Sequence, residues 1–74
     1  MKTAVVTGWN AGFQKVNFTK WLRADFGYSL SQAKSATDGV LENQNLELPI
    51  PEGEASHVSA RLSELGAKFF INES

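Results

Sequence analysis

The sequence predicts an α+β domain with the order β-α-α-β-α-β, three helices packed on one face of a small three-stranded sheet. Three observations lead there. The chain opens on an uncharged β-branched run, TAVVT at 3–7. Three later segments repeat apolar residues at helical spacing, and glycines mark the ends of the first strand and of two helices. At 74 residues the chain forms one domain, 1–74, near the lower size at which a hydrophobic core holds a fold unaided. With no Cys there is no disulfide or thiolate metal site to assist it.

Taken in order, TAVVT carries no charge on either face and is expected at the centre of the sheet. Gly8, Asn10 and Gly12 then break the run into a loop, in which Trp9 and Phe13 are expected to tuck against the core. From Val16 to Phe26, the residues Phe18, Trp21, Leu22 and Phe26 fall on one helical face, with Lys20 and Arg23 opposite. Gly27 supplies the left-handed residue that ends this helix. Ser29 and Gln32 have the form of a capping box that starts a second helix, with Leu30, Ala33, Thr37 and Leu41 as its inner stripe. The small residues Ala33, Ser35 and Ala36 allow it to approach its neighbour closely. After the polar ENQN at 42–45, LELPI alternates as a half-buried strand that Pro49 confines to an edge. Pro51, Glu52 and Glu54 are expected at the N-terminus of a third helix, whose dipole favours acids there. Ala55, Val58, Leu62 and Leu65 form its apolar stripe and Gly66 its end. AKFFI at 67–71 closes the sheet with Phe69 and Ile71 sharing a face.

Charge is distributed unevenly. The net charge is −1, which argues against a general nucleic-acid binder. Residues 1–34 nevertheless hold five basic residues against Asp25, a balance of +4, while residues 35–74 hold two against seven acids, a balance of −5. Such asymmetry bears on association and orientation rather than on fold. Four of the cations, Lys15, Lys20, Arg23 and Lys34, lie in the segment KVNFTKWLRADFGYSLSQAK that folds as the helical hairpin.

That segment and the element order resemble the C-terminal domain of the bacterial ribosomal large-subunit stalk protein, which recruits translational GTPases. The similarity runs without a gap from Lys15 to Lys34 and more loosely through LSELGAKFFI. It implies a docking face on the helical hairpin, with Lys15, Lys20, Arg23 and Lys34 as its charges, Gly27 at the turn, and Leu30 and Ala33 beneath. Val16, Thr19 and the methylene stems of the basic residues would supply the apolar centre, and Tyr28, at the hairpin tip, an anchor. Trp21, Phe26 and Tyr28 stand where the family usually has smaller residues. The family's dimerisation helices and Ala-rich hinge have no counterpart before the first strand, so a free-standing relative is the expectation.

The function expected is therefore non-enzymatic binding of an acidic protein, with a translation-associated GTPase as the partner class that the resemblance implies. The alternative is RNA phosphate contact through the same basic face, although seven acids in the second half oppose a long duplex. An adaptor that delivers substrates to an ATP-dependent protease shares the fold, but of its loop residues only Asn10 is offered here. No catalytic constellation can be assembled. His57 has no second His or Cys for metal ligation, and Ser56 and Ser59 point away from it on a helix. GWNAG at 8–12 lacks the lysine of a phosphate loop. Glu42, Glu47, Glu52 and Glu54 fall in polar segments, without the burial that acid-base chemistry needs. No cofactor is expected. No stretch approaches the roughly 20 apolar residues of a membrane span, and no signal-peptide h-region is present. A cytoplasmic monomer is the expectation, head-to-tail self-association between the two charged faces being the lesser alternative.

Overall fold

The computed structural model describes residues 2–73, so the domain limits at Met1 and Ser74 lie outside the described residues. The elements are β1 (Lys2–Trp9), α1 (Lys15–Phe26), α2 (Leu30–Leu41), β2 (Leu46–Ile50), α3 (Ala55–Leu65) and β3 (Ala67–Glu73). This is the α+β order read from the sequence. The sheet is antiparallel with strand order β2-β1-β3, which makes β1 central and leaves β2 and β3 as edges. Pro49 lies on the β2 edge, where a missing N–H is tolerated.

Alternation along the strands separates two faces. Ala4 and Val6 of β1 point inward in register with Leu48 and Leu46 of β2 and with Ile71 and Phe69 of β3. Against them pack Phe18, Trp21 and Leu22 of α1, Ala33 and Val40 of α2, and Val58, Leu62 and Leu65 of α3. Phe18, Leu22, Leu48, Leu62, Val6 and Val40 are fully buried. Each contributes about 1.5–3 kcal/mol of transfer free energy. The other face carries Val5 between Glu47 and Phe70, and Thr3 between Pro49 and Asn72.

Several local expectations change. A register shift between Val6 and Gly8 lets β1 run on to Trp9. This carries the indole out of the core: Trp9 is 41% exposed, and its Nε1 donates to the Leu41 carbonyl at the end of α2, 3.1 Å away. Phe13 does pack against the core. The inner stripe of α2 is Ala33, Thr37 and Val40, whereas Leu41 is half-buried and Leu30 exposed. Leu30 is the first residue of α2 and lies beyond the packed middle of the hairpin, which is why it escapes burial. Of the acids before α3, Glu54 stands at its N-terminus as the N-cap, without a side-chain cap bond, and neither it nor Glu52 enters the first turn. Pro51–Glu54 closes instead as a turn through Glu54 N–H to the Pro51 carbonyl, with Gly53 at φ +85.

Gly66 ends α3 for two separate reasons. Its φ is +83, and a Cβ there would sit 3.1 Å from Phe13 Cα. Gly53 has a similar φ but open space around it. Gly53→Ala should therefore cost about 1–2 kcal/mol from the left-handed backbone alone, and Gly66→Ala about 2–4 kcal/mol because backbone must also move. Urea unfolding of the two variants measures the difference. Equal costs would remove the close approach as a constraint.

Candidate functional site

The hairpin is built as its sequence specifies. Gly27 adopts φ 67, ψ 22, and its N–H returns to the Leu22 carbonyl. Ser29 caps α2 reciprocally: its Oγ accepts from Gln32 N–H at 3.1 Å, and its own N–H donates to Gln32 Oε1 at 3.0 Å. The turn between the helices is thereby fixed at both ends. Ala33, fully buried, lets α2 lie close to α1.

Along the seam the helices meet through two hydroxyls. Thr19 Oγ1 and the buried Thr37 Oγ1 are 2.7 Å apart, and they also approach the carbonyls of Lys15 and Ala33, each at 2.9 Å. Two hydroxyl protons serve three contacts, so one backbone approach is made without a proton of its own. Over this pair opens a shallow hollow of about 210 Å³ lined by Lys15, Val16, Thr19, Lys34, Thr37 and Asp38. Val16 is 61% exposed on its rim. One helical turn further along the seam stand Arg23 on α1 and Leu30, 47% exposed, on α2.

The four cations are thus divided. Lys15 and Lys34 share the seam hollow, and Arg23 continues the same side. Lys20 does not line the seam hollow. It lines a hollow of about 420 Å³ further round α1, with Arg61, Asp25, Glu64 and the buried Trp21. Helical geometry sets Lys20 between the two hollows, about 100° from Thr19 but within one turn of Val16 and Arg23. All four cations are exposed. The ion pairs among the described residues are Lys2–Glu73 and Arg61–Glu64, both at 3.5 Å, so none of the four is neutralised.

Tyr28 is also displaced from the expected place. It is half-buried, its ring packs edge-on to Phe26 with centroids 6.4 Å apart, and it borders a hollow of about 790 Å³ with Ser31, Gln32, Gln44 and Asn45. That hollow lies on the flank of α2 away from Lys15 and Lys34, so Tyr28 borders a different surface from these two cations. Leu30, expected beneath the hairpin, is with Val16 an exposed apolar residue on the cationic side. The capping box held the signal: with Ser29 as N-cap, Leu30 becomes the first helical residue and lies outside the packed stripe.

The charge of Lys15 stands against its local setting. It is the first residue of α1, at the positive end of the helix dipole, and no acid accompanies it in that turn. Among the described residues no group of three metal-ligating side chains occurs, and His57 and Glu42, Glu47, Glu52 and Glu54 are exposed. No protein-family model matches the chain, and no curated protein sequence matches it.

The seam hydroxyls are open to a double-mutant cycle. Thr19→Val and Thr37→Val, singly and together, should give a coupling of about 0.5–1.5 kcal/mol in unfolding free energy, with Thr37→Val the costlier single change because its site is buried. Additive effects would mean that the 2.7 Å contact contributes nothing to holding the hairpin.

Proposed function

We propose that the chain is a non-enzymatic protein-binding module whose α1–α2 hairpin docks an acidic protein surface. The partner class implied by the resemblance to the ribosomal stalk domain is a translation-associated GTPase. One observation carries this reading: three unpaired cations, Lys15, Arg23 and Lys34, border a seam whose exposed apolar residues are Val16 and Leu30. Cations around an apolar centre steer an acidic partner and orient it, while burial of the centre lengthens its residence.

The position of Lys15 supports the same reading. A cation at a helix N-terminus costs about 0.3–1 kcal/mol of fold stability, and an acid there would contribute about as much. A residue placed against its local preference is a mark of surface shaped by something outside the fold. Asp38, on the seam beside Lys34, limits the positive potential and would exclude a partner whose acids are placed opposite it.

The test pairs stability with binding. Lys15→Glu should raise the unfolding free energy by about 0.6–2 kcal/mol at low salt. Lys15→Glu with Lys34→Glu should weaken retention of purified elongation-factor GTPase by about tenfold or more, and added salt should weaken wild-type retention similarly. Lys20→Glu, outside the seam hollow, serves as the charge-matched comparison and should weaken binding less than Lys34→Glu. Equal effects of Lys20→Glu and Lys34→Glu would reduce the face to bulk charge. Retention unaffected by any of them would place function elsewhere.

A further inference from the structure

One polar group in the core lacks a partner. Trp21 is 5% exposed, and its Nε1–H has no hydrogen-bond acceptor among the described residues. A buried indole N–H usually finds one, because a donor stripped of water and left unbonded carries its full desolvation cost. The other indole shows the ordinary case, with Trp9 Nε1 donating to the Leu41 carbonyl. Phe18 and Phe26 pack against Trp21, their centroids 5.9 and 5.1 Å away, and neither offers a lone pair. The indole also borders the hollow of about 420 Å³ between α1 and α3, and there a group from outside the chain can approach it. The amides at one end of this hollow are already engaged, Gln14 with the Glu64 carbonyl and Asn17 with Gln14. Four charges stand around the rest, Lys20 and Asp25 on α1, Arg61 and Glu64 on α3, all on exposed side chains. The ion pair among them, Arg61–Glu64, is long at 3.5 Å.

We propose that this hollow binds an α-amino acid as its zwitterion, the carboxylate accepting from Trp21 Nε1–H between Lys20 and Arg61 and the ammonium group meeting Asp25 or Glu64. The unpartnered donor calls for an acceptor, and two cations beside it favour a charged one. Lys20 and Arg61 are matched by Asp25 and Glu64, so the hollow has no net formal charge. A bare anion would gain from the first pair and lose to the second, whereas a zwitterion satisfies both. Ala24, one turn beyond Lys20, keeps the α1 wall of the hollow low, since it carries no more than a methyl group. A free amino acid is small enough for a space of this size. Because the indole is almost wholly covered, the carboxylate would reach it by displacing exposed side chains of the rim, Lys20 or Arg61, and no core residue. Lys15 and Lys34 line a different hollow, so this inference stands apart from the docking reading.

The experiment is an NMR titration that follows the two indole N–H signals of the isotope-labelled chain, assigned with Trp9→Phe. Glycine is the probe, acetate and methylammonium stand for its two halves, and Trp9 is the internal reference. Glycine in the millimolar range should move the Trp21 signal along a saturating curve and leave the Trp9 signal in place. Acetate should need about tenfold more, and methylammonium should not move it. Lys20→Gln and Arg61→Gln, both exposed changes, should each weaken glycine binding about threefold or more. A Trp21 signal that glycine does not move overturns the proposal, and a far-upfield position for that proton would place it over the Phe26 ring instead. Equal movement of both indoles is a general solute effect and overturns it as well. So does acetate as effective as glycine, which marks a bare-anion site, or glycine binding unchanged in both rim variants.

Discussion

Everything on the hairpin side depends on how the start of α1 is tied to the end of α3, residues some fifty positions apart in sequence. A helix leaves its last carbonyls without intrahelical partners. Here the Leu65 carbonyl accepts from Gln14 N–H at 2.9 Å, the Glu64 carbonyl from Gln14 Nε2 at 3.2 Å, and the Gly66 carbonyl from Asn10 N–H at 2.9 Å. Asn17 Nδ2 donates to Gln14 Oε1 at 2.7 Å and holds that side chain in place. The missing Cβ of Gly66 admits the Phe13 backbone to this junction. Because Gln14 precedes Lys15 directly, the same bonds that finish α3 set where α1 begins and which way its seam faces. The site is positioned by main-chain bonding at the opposite end of the helix from the turn.

From that junction an aromatic series follows α1 to its exit. Ring centroids step from Phe13 to Phe18 (5.3 Å), to Trp21 (5.9 Å), to Phe26 (5.1 Å) and to Tyr28 (6.4 Å). Tilted and edge-on pairs of this kind add about 0.5–1.5 kcal/mol each beyond the area they bury. Large side chains at these positions make α1 a stiff element on the sheet, and α2, with Ala33 and Thr37 inward, is slim enough to lie against it. The consequence for function is that Lys15 and Arg23 project from a helix that does not have to be ordered on binding. In the docking proposed above, only their own side chains would lose freedom, which would keep its entropic cost low. The bulky Trp21, Phe26 and Tyr28, which depart from the stalk-domain pattern, are accounted for by this packing.

The fold was legible because its punctuation was local. Gly27, Gly66, the Ser29–Gln32 box and Pro49 each act through the backbone of their own neighbourhood, and each does in space what the sequence specifies. Errors arose where a residue's environment is set by chain remote from it. Trp9 was expected inside, yet the shift between Val6 and Gly8 turns it toward the end of α2, and no feature of GWNAGF announces a bulge paired to Lys68. The site was half legible. Charge spacing identified the four cations, but which of them share a surface depends on the rotation of α1 about its axis, and that is set by the α3 junction and the Thr19–Thr37 contact. Lys20 falls outside the seam hollow for this reason, and Leu30 is exposed because a stripe read by period alone does not say where the neighbouring helix stops.

The opposition of charge between the halves of the chain acquires a physical sense once its residues are placed. Four of the five cations of the first half are on the hairpin, and the fifth, Lys2, begins β1. The acids Glu42, Glu47, Glu52 and Glu54 lie on the loops around β2 and on that strand itself, all exposed. Glu47 shares with Pro49 the task of keeping the β2 edge unpaired, because a carboxylate and a missing N–H both penalise an added strand. The acidic half thus protects one edge, while the other edge, on β3, carries Lys68 and Glu73 at opposite ends and an exposed Phe70 between them.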